Sequence, residues 1–479
     1  MSRCVTALFV ALIASCWLGI GCAAKPIQIN DAKDKQLLAA FLKQVADVPN
    51  RITAEYCKKA ADTDADESET YTWLVTPYVH TTLAAYELTG DPTYLDEFVG
   101  LFENERSALT KGPDGFLGWY GIPDPNDGDP NDPTHRTDAV ISSFRTVEMI
   151  CDFVTLIDRD PALRKKYAAQ RKAYLDLAEN HLVKKHTVRG DYVDLGRGGA
   201  VYRSVAHGMN ARQTRLTMPH NKNSIIMHGL LALYRVTGND EYMRKAIELG
   251  VRYKHSLTLK NGHYEWNYWD PAGAWDVRKQ APTEGRHGAQ HETTVLREWK
   301  HWIGPEHRGG YYSSTLSQAI ALYDYGLVFD KTDVDRFLRT QLEMCWNGSM
   351  TDPKWARVDG TTPAQYTQGE YICDALAPFS DKVAEFLYTG ARQDQLLRES
   401  GDDWSGGPIA SGWLEGKLIE LPAAKGGKQV YLDYGKRFLA KKANRDFLKA
   451  LAFQVTPPGY TAPEVPSQMK DMPQEPGAE

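Results

Sequence analysis

Residues Met218–Tyr242 read MPHNKNSIIMHGLLALYRVTGNDEY, and this stretch decides the fold. Its second half, Ala232–Tyr242 (ALYRVTGNDEY), recurs as Ala84–Tyr94 (AAYELTGDPTY). Both fit A-x-Y-x-x-T-G-[DN]-x-x-Y, and each has a histidine six residues before its first tyrosine, His80 and His228. The apolar run reads as a helix. Gly90 or Gly238 ends it in the left-handed conformation that glycine adopts without a Cβ clash. Asp91 or Asn239 then offers a side-chain oxygen to the first free N–H groups of the next helix. Weaker echoes lie at Ala384–Gly390 (AEFLYTG) and Ala319–Gly326 (AIALYDYG), and Thr146–Leu156 and Ala162–Val183 carry similar helical patterns. Strand signals are sparse; His263–Trp269 (HYEWNYW) is the best of them, as a loop or a hairpin arm. Related helix pairs several tens of residues apart predict an array of stacked hairpins. The expected fold is all-α, an (α/α)n toroid of six or seven helical hairpins.

Composition agrees with one large domain. The 479 residues are 42% apolar and 11% aromatic, enough for a sizeable core. Net charge is −6 with no long basic run, which argues against a nucleic-acid partner. The first 24 residues read as a signal peptide: Arg3, the apolar run Val5–Ile20, then Gly21-Cys22-Ala23-Ala24. Two processing routes stay open, ordinary cleavage near Ala24 or a lipoprotein anchored through Cys22. Either places the mature chain outside the cytoplasm of a bacterium: periplasmic, secreted or lipid-anchored. No second apolar run is long enough to span a bilayer, so a lipid anchor is the one expected membrane contact. Residues 25–457 form the expected single toroid domain, and 458–479 a Pro-rich tail outside the core. Cys57, Cys151, Cys345 and Cys373 remain after the leader. Export permits a disulfide such as Cys345 with Cys373, and free buried thiols fit equally well.

Polar and aromatic residues concentrate in four places: His135-Arg136-Thr137-Asp138; Arg212 to His228; His263–Trp269 with Trp275; and Trp299–Tyr312 (WKHWIGPEHRGGYY). Flat rings stack on sugar faces while their polar edges donate hydrogen bonds, which singles out Trp266, Trp269 and Trp302. The basic and amide residues point to an acidic sugar polymer. Cleaving a polyuronate by β-elimination needs a group to neutralise the C6 carboxylate, a base for the C5 proton, and an acid for the leaving O4. The clusters supply these types: Asn221 or Asn223 and Arg308 at the carboxylate, His228 as base, Tyr312 or Tyr311 as acid. An adjacent Arg308 would draw a tyrosine down from its usual pKa of about 10. His220, Asn223, His263, Arg212 and Arg136 are expected to bind substrate, with His220 and His263 as reserve bases.

The segments PHNKNSIIMHGLLALYRVTG and HWIGPEHRGGYYSS, set in a helical array behind an export leader, resemble α/α-toroid polysaccharide lyases. The resemblance is to polysaccharide lyase family 38, whose members act on alginate or glucuronan. It implies one large helical toroid and a His/Tyr elimination, with Arg and an acid or amide at the carboxylate. Asn221 in place of that family's Glu is a departure.

Each residue also has a structural reading. His228 suits a core histidine, Asn221 a helix cap, and Arg308-Gly309-Gly310-Tyr311 a helix-entry turn. His287 and His291 in EGRHGAQHE are four apart but lack the H-E-x-x-H order, so they read as an exposed loop and no metal is expected. Asp124–Pro133 (DPNDGDPNDP) lacks EF-hand spacing and reads as a plain loop. No phosphate-cradling glycine loop appears, so no organic cofactor is implied. Two further functions compete with the lyase. One is a toroid glycoside hydrolase acting on uronides, for which Asp138 and Asp270 are the best carboxyl pair. The other is a non-catalytic glycan-binding lipoprotein.

Overall fold

The computed structural model describes residues 26–63, 71–121, 138–202, 218–268, 305–306, 309–362, 370–402, 407–425 and 429–451. The chain begins with α1 (Ala32–Arg51) and α2 (Ala54–Thr63). A π-turn, Tyr71–Val75, runs into α3 (Thr76–Thr89), and α4 (Thr93–Arg106) folds back along it. Then come α5 (Val140–Asp158), α6 (Pro161–Lys166), α7 (Ala168–Leu177) and α8 (Lys184–Val188). The next hairpin is α9 (His220–Thr237) with α10 (Asp240–Ser256), and α11 (Gly309–Asp324) precedes α12 (Lys331–Arg339). A 3-10 turn, Asp374–Phe379, leads into α13 (Asp381–Tyr388) and α14 (Gly390–Asp402). The last described helices are α15 (Gly407–Glu415), α16 (Leu421–Lys425), α17 (Gln429–Ala440) and α18 (Lys442–Ala450).

Packing closes these helices into a ring. α3 packs on α5, α5 on α9, α9 on α11, and α11 on the 3-10 turn Asp374–Phe379. That turn meets α16, which continues from α15 through a π-segment, and α15 packs back on α3. The fold is an all-α toroid, with six inner segments among the described residues. The strands are marginal: β1 (Thr110–Lys111) with β2 (Leu117–Gly118), β3 (Tyr192–Asp194) with β4 (Ala200–Tyr202), and β5 (Thr258–Lys260) with β6 (His263–Glu265), each pair an antiparallel ribbon. No described helix is long and apolar enough to cross a membrane.

The repeat motif sets the direction of travel. Gly90 (φ 71°) and Gly238 (φ 70°) end α3 and α9 in the left-handed conformation, each donating its N–H to the tyrosine carbonyl four residues back. Asn239 caps α10 by accepting from the Glu241 N–H. Such tight turns make each outer helix antiparallel to its inner one. The inner helices therefore run in parallel, and their N-terminal ends share one face of the ring.

Inner helices are squeezed between two neighbours and an outer layer, so they are apolar on three sides. α5 buries Phe144, Val147, Ile150, Cys151, Phe153, Val154 and Ile157. Phe98 and Phe153 stack at 4.7 Å, and Tyr174 meets Phe102 edge-on at 4.6 Å, joining α3's outer partner to α5 and α7. α5 and α9 approach closely, and a Cβ on Gly229 would lie 2.7 Å from the Phe144 carbonyl oxygen. The ring is sealed by α1 against α14 and α15. There the buried Asp34 carboxylate accepts from Lys417 (2.7 Å) and Gln393 (2.6 Å).

A substitution pair tests the close approach. Helix propensity favours Ala over Gly by about 1 kcal/mol, whereas overpacking against backbone costs about 1–3 kcal/mol. Gly229→Ala is expected to lower the melting temperature. Gly412→Ala on α15, whose added Cβ meets nothing within 4 Å, is expected to leave it equal or higher. Thermal unfolding of both variants checks this.

Candidate active site

The fourth side of each inner helix faces the ring axis, and there the sequence turns polar. On α5, Arg145, Glu148 and Asp152 recur at helical spacing along one stripe. α3 contributes His80; α9 contributes Ser224, His228 and Arg235; α11 contributes Ser314 and Ser317. The His80 and Asp152 side chains are 35% and 30% exposed although both sit on inner helices. The axis is therefore a solvent-reaching cavity rather than a packed core.

The deeper layer centres on Asp152. Its carboxylate accepts from His80 Nε2 (3.2 Å) and Arg235 (3.1 Å), and Arg235 also donates to the Tyr325 hydroxyl (3.4 Å). Burial alone would raise the Asp152 pKa. The His80 hydrogen bond and the Arg235 and Arg145 charges outweigh it and hold the group below its usual value. For His80, burial works against the charged ring, but Asp152, joined by Glu415, raises its pKa above the ordinary value. Glu415, the last residue of α15, acts electrostatically on the same histidine. Desolvation pushes its carboxyl up to about 8 despite the opposing pull of His80. The two carboxyls that act on His80 are thus shifted in opposite directions, Asp152 down and Glu415 up.

The shallower layer joins α9 to α11. The Ser317 hydroxyl donates to the Ser314 carbonyl (2.8 Å), so it accepts from His228 Nε2 at 3.2 Å. That assignment places the neutral imidazole's proton on Nε2 and leaves Nδ1 as the acceptor. Burial keeps His228 below its usual pKa, with Arg145 and Arg235 acting in the same direction against Glu148. Arg145 itself pairs with Glu148 at 3.1 Å. Ser224 lies 3.3 Å from Ser317, and Ser314 donates to the Asn221 carbonyl (3.3 Å).

The structure sorts the residues singled out from sequence. His228 faces the axis. Asn221 is buried at the start of α9, with no hydrogen-bond partner at its side-chain oxygen. The two tyrosines separate: Tyr311 is half-buried and stacks on Tyr268 at 5.5 Å, while Tyr312 is fully buried. Tyr312 donates to Gln341 (3.1 Å) and stacks on Trp266 at 5.8 Å. Burial drives its phenol well above the usual range, and the side chain is placed in the core rather than on the axis. Trp266 is correspondingly core rather than a sugar platform. Asn223 accepts from the Tyr202 N–H (3.3 Å) and donates to the Met218 carbonyl (3.1 Å), fastening α9 to β4. His220 is buried edge-on to Tyr253, and His263 is buried beside Glu265 (3.2 Å) on β6. Arg136, Arg212, Trp269, Trp302 and Arg308 lie outside the described residues, as do Asp270, Glu284–Glu292, residues 124–133, the leader with Cys22, and the tail. Cys57, Cys151, Cys345 and Cys373 are all free and buried. Among the described residues no His, Cys, Asp and Glu group is placed to hold a metal.

Two buried clusters mimic catalytic sets but face no solvent. Ser143, His186 and Asp191 line up with His186 Nε2 3.1 Å from the serine and Nδ1 2.7 Å from the carboxylate, and all three are fully buried between α5 and α8. Asp138, a proposed hydrolytic carboxyl, is buried against Lys185 (2.9 Å) and Arg189 (2.6 Å). Asp138→Ala would leave the buried Lys185 without a carboxylate, while Arg189 keeps Asp114 (2.7 Å), and losing one partner of a buried pair costs about 3–5 kcal/mol. A large drop in the urea midpoint is expected. A folded, equally stable Asp138→Ala variant without turnover would instead return Asp138 to the chemistry.

No protein-family model and no curated protein sequence matches the chain. Among solved structures, two of an α-1,6-mannanase, GH76A of Salegentibacter sp. HEL1_6, are similar to it. They are inactive variants with two aspartates replaced, one in complex with α-1,6-mannotriose and one with the tetrasaccharide. Each is 10% identical, with a TM-score of 0.41, over 81% of this chain and 99% of that chain.

Proposed function

We propose that the chain is an exported enzyme that hydrolyses a glycosidic bond in the axial cavity. The observation that carries this reading is Asp152, paired with His80 at 3.2 Å on the solvent-reaching axis, with Glu415 acting on the same histidine and its carboxyl pushed up to about 8 by desolvation. Glycosidic hydrolysis needs one carboxyl that arrives protonated and one that arrives ionised. Glu415, with its proton retained to about pH 8, suits the leaving oxygen; Asp152 suits activation of water or attack on the sugar. The serine hydroxyls, imidazoles and paired charges around them suit a polyhydroxylated substrate. Arg145 and Arg235 add the cations that a uronic acid would need.

A second reading is β-elimination from a polyuronate of the alginate or glucuronan type. It is favoured by His228, whose depressed pKa leaves a neutral imidazole at pH 7 with Nδ1 as acceptor. In that reading Arg145 faces the C6 carboxylate, and Tyr311 rather than the buried Tyr312 is the acid.

The two readings predict opposite pH limbs. Glu415 has a raised pKa, so hydrolysis is lost as pH rises through about 8. His228 has a lowered pKa, so elimination is lost as pH falls below the ordinary histidine range. Under hydrolysis, Glu415→Gln is expected to lower kcat about 10²–10⁴-fold and abolish the alkaline limb, while His228→Ala retains substantial turnover. Reducing-end release without near-ultraviolet absorbance identifies hydrolysis. A rise in absorbance, lost in His228→Ala, overturns it in favour of elimination.

A further inference from the structure

Four large apolar side chains are exposed among the described residues: Trp73, Leu74, Val188 and Ile409. Three of them cluster by position in the fold. Trp73 and Leu74 lie in the π-turn that opens the first inner segment, and Ile409 lies in the first turn of α15. The helices that follow them, α3 and α15, pack on one another across the ring closure. Their registers also match: Glu415 acts electrostatically on His80, and Ile409 and Trp73 lie six and seven residues before them. Both therefore sit on the N-terminal face of the ring.

Trp73 precedes His80 by seven residues, in the π-turn that runs directly into the helix carrying His80. Trp73 and Leu74 are exposed, whereas Tyr71 and Thr72 before them and Val75 and Thr76 after them are buried. The turn is fixed on its other sides. Tyr71 donates to the Cys57 carbonyl (2.6 Å) and stacks on Trp119 at 4.8 Å; Thr72 lies 2.8 Å from the Ser142 hydroxyl on α5. An indole 44% exposed on a clamped turn is a preorganised surface, which loses little freedom on binding.

Resting on the glycan-cleaving reading above, we propose that Trp73, flanked by Leu74 and Ile409, is a stacking platform for a pyranose ring of the chain whose scissile bond lies at Asp152 and Glu415. The apolar face of a sugar covers the indole while its hydroxyls stay in water. The platform sets which stretch of polymer is held, not the bond chemistry, so Trp73 is a substrate-binding residue and not a catalytic one.

The test uses the full mature chain in a Glu415→Gln background, so that polymer survives. Mobility is measured in gels containing polymannuronate, polyguluronate, glucuronan, pectate or α-mannan. Trp73→Ala is expected to weaken retention by the retarding polymer about tenfold, equivalent to about 1.4 kcal/mol. Trp73→Phe should keep most of it, and Val188→Ala, a truncation of a still more exposed apolar side chain on α8, should keep all of it. Unchanged melting temperatures establish that each variant is folded. Retention by Trp73→Ala equal to the parent, or equal loss in Val188→Ala, overturns the platform and leaves the glycan reading standing. Failure of the Glu415→Gln parent to bind any polymer overturns both.

Discussion

The Asp152 carboxylate holds the ring axis together. It accepts from His80 on α3 and from Arg235 on α9 while standing on α5, so one anion ties three successive inner segments. Arg235 carries the connection on to Tyr325 at the end of α11. Helices arranged around a hollow centre have no hydrophobic reason to stop sliding past one another along the axis. Charge pairing across the hollow supplies that reason, because each partner is costly to leave unpaired at that depth. The same arrangement separates the ionisation of neighbouring groups: Asp152 is held charged, and Glu415, facing mainly desolvation, keeps its proton.

Access to solvent, not residue type, distinguishes the axis from the rest of the interior. Ser143–His186–Asp191 and Asp138–Lys185–Arg189 contain the residue types that hydrolytic enzymes use. The first is wholly enclosed and the second is buried except for a half-buried Arg189, and each works as a polar rivet between the α5 and α8 regions. Such rivets satisfy buried groups that would otherwise destabilise the core.

The hairpin rule was readable because it is local. A glycine in the left-handed region and an Asx cap act within four residues, so Gly238 and Asn239 announced the α9–α10 turn directly. The inward face of α9 was readable at His228 for the same reason. The choice between Tyr311 and Tyr312 was not, since adjacent helical positions point about 100° apart and only the packing of Trp266 and Gln341 fixes which is enclosed. Asp138 looked available because its cations, Lys185 and Arg189, come from a helix far along the chain. Glu415 drew no attention because its shifted pKa arises from helices that meet only when the ring closes. The stripe of Arg145, Glu148 and Asp152 within an apolar helix was a usable signal for the axial cavity.

The seam between Asp34 and Lys417 has a consequence for biogenesis. Its two sides are separated by nearly the whole chain, so α1 is synthesised long before α14 and α15 exist to receive it. Hairpins can form one after another as they emerge, but the last surface of α1 stays uncovered until the C-terminal helices arrive. Contacts of such long sequence separation form late and slowly. The nascent protein is an open arc with two apolar edges, and its protection from proteases and self-association begins only with the final helices.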